Sequence, residues 1–266
     1  MMAEEKTDLP ARLRKILIEA ENAAPEPQAL DFAARMAGPI GARLVGCFVE
    51  NQALIDLVEL PFASEVSFSG AVRPLERERL FREWEGQAKQ AEAAFAAAAA
   101  AAGLDWSFEI KRGKPLFSLL EVAEKEDVVV FNAGGRLTAS SDVARAVRAA
   151  NAEIHADVLL TGNVLRRGTI DASRPVVVLD DMTSRGEACA HIGRNLAEKA
   201  GLTCIPIRSK STSLQAVAEQ VRQLAPGLVI ADGASPLFSR DEDVTAFSVL
   251  AGCPVLLLGS ERDAAA

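Results

Sequence analysis

The sequence predicts an α/β fold: two halves in tandem, each a mostly parallel sheet with helices on both faces. Three observations carry this expectation. Short apolar runs such as Asp127 to Phe131 and Pro175 to Leu179 read as strands buried on both faces. Stripes of apolar residues three or four apart lie between them and read as amphipathic helices. The same order of strand and helix then occurs a second time, which indicates an internal duplication.

In chain order, Lys15 to Ile18 is a short strand, and Pro25 and Pro27 lead into a helix carrying Leu30, Ala33, Ala34 and Ala37 on one face. Gly38, Pro39 and Gly41 stop that helix, and Arg43 to Val49 is the next strand. Strand, helix, strand in this order predicts a parallel pair joined by a right-handed crossover. Residues 50–74 are irregular yet rich in Leu54, Ile55, Leu57, Val58, Leu60 and Phe62. They read either as a cover or partner surface, or as a short helix packed on the sheet.

A long helix follows, with Leu80, Phe81, Trp84, Ala88, Ala91 and Phe95 at helical spacing, an alanine run from Ala96 to Ala102, and Gly103 as its C-cap. Trp106 to Ile110 alternates as a half-buried strand does, and Trp84 and Trp106 are expected in the core. Pro115 opens a short helix, Asp127 to Phe131 is a buried strand, 142–152 is helical, and Val158 to Leu160 is a strand.

The pattern then restarts. A strand ends at Asp180 and Asp181, and Ser184 with Glu187 fits a capping box. Cys189, Ile192, Leu196 and Ala200 form a helical stripe, on which His191 is expected to be partly buried. Thr203 to Ile207, Leu228 to Ile230 and Pro254 to Leu258 are strands, with a helix between the first two. The two halves span 11–163 and 172–260, joined by a polar linker. The second lacks the long helix and the strand after it.

Composition excludes several classes. Of 266 residues, 49% are hydrophobic and 25% charged, which is ordinary for a globular chain and long enough to build a core without metals or disulfides. Twenty-nine basic against 37 acidic residues give a net charge of -8. The densest basic stretch, Arg73, Arg77, Arg79 and Arg82, is interleaved with Glu76, Glu78 and Glu83, so no nucleic-acid surface is expected. Cys47, Cys189, Cys204 and Cys253 have no metal-ligand spacing and read as buried thiols of a reducing cytosol. Two histidines, His155 and His191, and the lack of a GxSxG elbow leave a Ser-His-Asp hydrolase unsupported. Met1 to Pro10 is unlike a signal peptide, and no apolar run approaches the roughly 20 residues of a membrane span. The expectation is a cytoplasmic protein without membrane contact.

The chain resembles the universal stress proteins in their tandem two-domain form. Three patterns carry the resemblance, each present in both halves. The first strand ends at an acidic residue before a helix, as in Ile16 to Glu21 and Val176 to Asp181. The penultimate strand follows a short helix, as in Asp127 to Phe131 and Leu228 to Ile230. The last strand is short and apolar, and in the second half it reads Gly252-Cys253-Pro254-Val255-Leu256-Leu257. The resemblance implies two Rossmann-like (adenine nucleotide alpha hydrolase-like) domains with a ligand at the carboxyl ends of the strands.

Nucleotide-binding members carry glycines after the fourth strand, where backbone N–H groups meet phosphate. This chain departs from that signature twice. In the first half Asn132 stands where the first glycine belongs, Gly135 keeps the second, and Gly134 and Arg136 flank it as possible anion contacts. Glu21 falls where relatives place an aspartate near the ribose. In the second half Asp232 and Ser235 replace the two glycines, with Asp181 nearby. A carboxylate at about 4 Å from a phosphate costs about 4 kcal/mol at an effective dielectric near 20, so ATP is not expected there. The reading that follows is a non-enzymatic stress-response protein with degenerate nucleotide sites, an unidentified protein partner, and pairing as a homodimer or as a pseudo-dimer within the chain. The alternatives are an ATP- or AMP-binding sensor using the first half, and a Mg²⁺-dependent phosphoryl-transfer enzyme using Asp180, Asp181, Asp232 and Asp241 to Asp243.

Overall fold

The structure, a computed structural model, describes residues 14–20, 27–67, 69–131, 140–161 and 173–259. It contains one nine-stranded sheet in the order β5-β2-β1-β6-β7-β11-β10-β8-β9. The first half supplies β1 (Arg14–Ala20), β2 (Ala42–Asn51), β5 (Trp106–Gly113), β6 (Val128–Phe131) and β7 (Asp157–Leu160). The second supplies β8 (Val176–Asp180), β9 (Cys204–Arg208), β10 (Leu228–Asp232) and β11 (Val255–Leu258). Every neighbouring pair is parallel except β7 with β11, where Val158 faces Leu257 and Leu160 faces Val255 in antiparallel register. The α/β sheet expected from the apolar runs is present, and its two halves meet through their last strands.

Period-two alternation divides the sheet into two faces. Ile16, Ile18, Val128, Val130, Val176, Val178 and Ile230 pack under α1 (Pro27–Ile40), α3 (Arg77–Ala102) and α6 (Ser184–Ala200). Leu17, Val129, Val158, Val177, Val229 and Val255 pack under α4 (Phe117–Leu120), α5 (Ser140–Arg148), α7 (Leu214–Gln223) and α8 (Asp243–Ala251). After β9 the chain enters α7 and returns to β10, without a counterpart of α3 and β5.

Several local expectations are corrected. Pro39 lies inside the last turn of α1, and the chain turns at Gly41 in the left-handed region. Residues 50–74 form α2 (Gln52–Val58) and a hairpin of β3 (Ser64–Val66) with β4 (Val72–Pro74). Only Ile55 of α2 is buried, while Leu54, Leu57, Leu60, Phe62, Val66 and Val72 face solvent. Trp84 is buried but Trp106 is 37% exposed, because β5 is an edge strand. The N-cap of α6 is Thr183, one residue before the expected box: its hydroxyl accepts the Gly186 N–H at 3.1 Å. His191 is exposed on α6, beside Asn195. Of the four thiols, Cys47, Cys189 and Cys253 are buried and Cys204 is half-buried; burial pushes the first three up to about 12, which leaves them unreactive. The sequence reading missed α8.

Buried polar pins lock the seam between the halves. Asp157 accepts the Gly259 N–H at 2.9 Å and faces Arg14 at 3.0 Å. α5 continues into a π-helical turn, Ala149–Glu153, which sets Asn151 against the second half. Its amide donates to the Leu258 carbonyl at 3.0 Å. A Cβ on Gly233 would fall inside that amide and push it off the Leu258 carbonyl. Gly233→Ala should therefore lower the unfolding free energy by about 2 kcal/mol in urea titrations, whereas Gly86→Ala on an open helix face should raise it by about 0.5–1 kcal/mol.

Burial raises the Asp157 carboxyl from its ordinary 3.8 to about 7, against the opposing pull of Arg14 and the Gly259 N–H; Glu126 and Asp127 add to the rise. The protonated form is the one that folding favours. Its contribution is complete below about pH 4 and is lost as pH climbs through about 7. From about pH 5 to about pH 8 this group should remove about 2 kcal/mol of stability, and Asp157→Asn should flatten that part of the pH profile.

Candidate functional site

In an open parallel sheet, ligands sit beyond the carboxyl ends of the strands where the strand order reverses. In the second half that point lies between β8 and β10. A cleft of about 280 Å³ opens there. Its floor is apolar, with Leu179, Ile207, Val217 and Ala231 among its members, and its rim carries Asp181, Thr183, Ser209, Ser211, Thr212 and Lys210. The loop after β9 is held by hydroxyl turns: Ser209 accepts the Ser211 N–H and Ser211 the Ser213 N–H, at 3.1 and 3.2 Å. Ser213 then caps α7 through the Ala216 N–H.

Each carboxylate at this edge has a partner. Asp180 is buried and accepts the Met182 N–H at 2.9 Å, with Arg208 Nε at 3.3 Å. Asp181 accepts from the Thr183 N–H at 3.1 Å and its hydroxyl at 2.5 Å. Gly186 lies against both carboxylates, and a Cβ there would press on them. Asp232, only 5% exposed, ends β10 and accepts Arg185 Nε at 2.6 Å, a second guanidinium N–H, and the Ala234 N–H at 3.0 Å. Asp232 thus does to Ala234 and Arg185 what a bound phosphate would do: it takes a backbone N–H of the loop and a fork of guanidinium donors.

The structure brings Asp181 and Asp232 to one cleft. Asp180 sits at the same edge, against Gly186, and Asp241 to Asp243 lie elsewhere. Asp241 pairs with Arg148 of α5, and Asp243 accepts the Arg240 N–H at 2.8 Å and its guanidinium at 2.9 Å. Among the described residues, no group of three His, Cys, Asp or Glu side chains is placed to hold a metal ion. Glu21, Asn132, Gly134, Gly135 and Arg136 lie outside the described residues. Within β1 the structure shows a residue the sequence reading passed over. Glu19, the one acid within β1, accepts the Leu116 N–H at 2.9 Å. Leu116 is buried in the left-handed region, a conformation costly for a leucine, and Glu19 helps to fix it.

Comparison with known proteins adds the fold. No family model matches the chain, and no curated protein matches it. A functionally unknown protein from Pseudomonas aeruginosa PAO1, solved by crystallography, aligns over 95% of each chain at 12% identity with a TM-score of 0.54. The cytoplasmic domain of a prokaryotic cation chloride cotransporter aligns over 95% of this chain and 98% of its own, at 11% identity and a TM-score of 0.49. The first likeness shows a shared fold. No helix among the described residues is long and apolar enough to cross a membrane.

Removing Arg185 leaves the buried Asp232 carboxylate without its guanidinium partner. Arg185→Met should destabilise by about 2 kcal/mol, below the usual cost of breaking a buried pair because the guanidinium is part exposed. Adding Asp232→Leu to that variant should recover most of the loss in denaturant unfolding.

Proposed function

We propose that this chain is a non-enzymatic stress-response protein of the tandem universal stress type, and that its second half does not take ATP through a glycine loop. One observation supports this above the others. The loop N–H and the guanidinium that would meet a phosphate are already taken by the protein's own Asp232. A polyphosphate entering there would have to displace a buried, paired carboxylate and face its charge. The apolar floor and hydroxyl rim of the neighbouring cleft suit a small neutral or hydroxyl-bearing ligand instead. Function then runs through a bound ligand or a protein partner and not through turnover.

The test begins with protein purified without nucleotide, denatured, and its supernatant separated by anion exchange with detection at 260 nm. Calorimetric titration with ATP and Mg²⁺ follows. The reading expects no adenine nucleotide and no measurable heat. It further expects Asp232→Gly, which takes the carboxylate away from the Ala234 N–H and the Arg185 guanidinium, to gain measurable pyrophosphate binding. Micromolar ATP binding by the unaltered protein would sink the proposal. Loss of that binding in Gly135→Val would then move the site to the first half.

A further inference from the structure

The two ends of the nine-stranded sheet are built differently. β9, at one end, is five residues long and carries Pro206 in its middle. Proline removes a backbone donor and is a usual guard against strand addition. β5, at the other end, is eight residues long, Trp106-Ser107-Phe108-Glu109-Ile110-Lys111-Arg112-Gly113, without a proline. Ile110 in its centre is 60% exposed.

The direction of the β5 backbone groups can be read from its ladder with β2. Leu44 N–H donates to the Asp105 carbonyl at 3.0 Å, and the register pairs Leu44 with Trp106 and Gly46 with Phe108. The odd-numbered residues therefore turn their N–H and C=O groups toward β2. Phe108, Ile110 and Arg112 turn theirs to the open edge. Among the described residues no backbone group meets them there.

The side chains along this edge are self-complementary about Ile110. Set two copies of β5 antiparallel with a twofold axis at Ile110. The two Ile110 residues then exchange both backbone hydrogen bonds and touch through their exposed side chains. Glu109 of each copy stands opposite Lys111 of the other, on the same face, giving two opposite-charge pairs. Phe108 stands opposite Arg112, again twice, on the α3 face where Phe108 packs against Phe95. α2 contacts β5 and exposes Leu54 and Leu57.

We propose that the open edge of β5 is a homodimer interface, formed by antiparallel addition of β5 from a second copy with the twofold axis at Ile110. The occupant is a second copy because the complementarity is that of the strand with itself: one reversal of direction turns Glu109 onto Lys111 and leaves Ile110 on itself. Joined in this way, the two sheets run as one.

Sedimentation equilibrium at micromolar concentrations tests it. The unaltered protein should be a dimer. Ile110→Lys places like charges on the axis and should make it monomeric. Glu109→Lys and Lys111→Glu, made singly, should each weaken the dimer by about tenfold or more. The double variant Glu109→Lys/Lys111→Glu restores the opposite-charge pairs and should restore the dimer. Far-UV circular dichroism should stay unchanged in all four, since these side chains are exposed or half-buried, and the thermal midpoint of the unaltered protein should fall toward that of Ile110→Lys on dilution. A monomeric unaltered protein overturns the proposal. So does a dimer indifferent to Ile110→Lys, or single charge reversals that weaken it without rescue in the double variant.

Discussion

The pairing of β7 with β11 is the constraint on which the rest of the structure depends. It is the one antiparallel contact in a sheet otherwise wholly parallel, and it turns two half-sheets into a single body. The pair is four residues against four, buried on both faces. Apolar burial of so short a strand pair fixes register only weakly, since a slip by two residues keeps the same faces inward. The polar pins remove that freedom. Asp157 on the Gly259 N–H and Asn151 on the Leu258 carbonyl each have one geometry in which a buried donor and acceptor are satisfied. The Asn151 pin requires the π-helical turn, which swings α5 far enough to present the amide, and requires Gly233 to make room for it.

The strands were legible because each is a run of Val, Ile and Leu bounded by turn residues, and two covered faces allow little else. What the sequence concealed was context. Trp106 alternates correctly for a half-buried strand, but alternation is the same for a central strand and an edge strand. α8 escaped notice for a physical reason. Its buried side carries Asp243, Thr245 and Ser248 beside Val244 and Phe247, while Val249 and Leu250 face solvent, so the stripe that marks an amphipathic helix is scrambled. Residues 50–74 looked irregular because α2 and the hairpin bury almost nothing, and a segment that buries nothing leaves no period to read.

The site divides in the same manner. Asp181 was found from the place of an acid at a strand end and Asp232 from its place in the glycine signature, and both line the cleft of the second half. Arg185 was missed, though it decides what Asp232 can do. Its partner is 47 residues away, and only the crossover of α6 over β8 and β10 brings them together. Asp232 considered alone reads as a repelling charge at a phosphate site. Paired with Arg185 and the Ala234 N–H it reads as the anion already bound. The same residue supports both arguments against a polyphosphate, but the second is the stronger, because it accounts for the donors as well as the charge.

The unequal halves also explain why equivalent strands have unlike sequences. β2 and β9 follow the first helix of their halves and flank β1 and β8 in the same way. β2 has a further strand, β5, on its outer side, and its residues Leu44 to Phe48 are almost all inaccessible. β9 has nothing beyond it among the described residues and reads Cys-Ile-Pro-Ile-Arg, part exposed throughout, with a proline that β2 could not hold without losing a ladder bond. With no counterpart of α3 and β5 among the described residues of the second half, its edge lies one strand further in, and Pro206 stands at that edge. The first half has the outer strand β5 and with it a long edge free of proline.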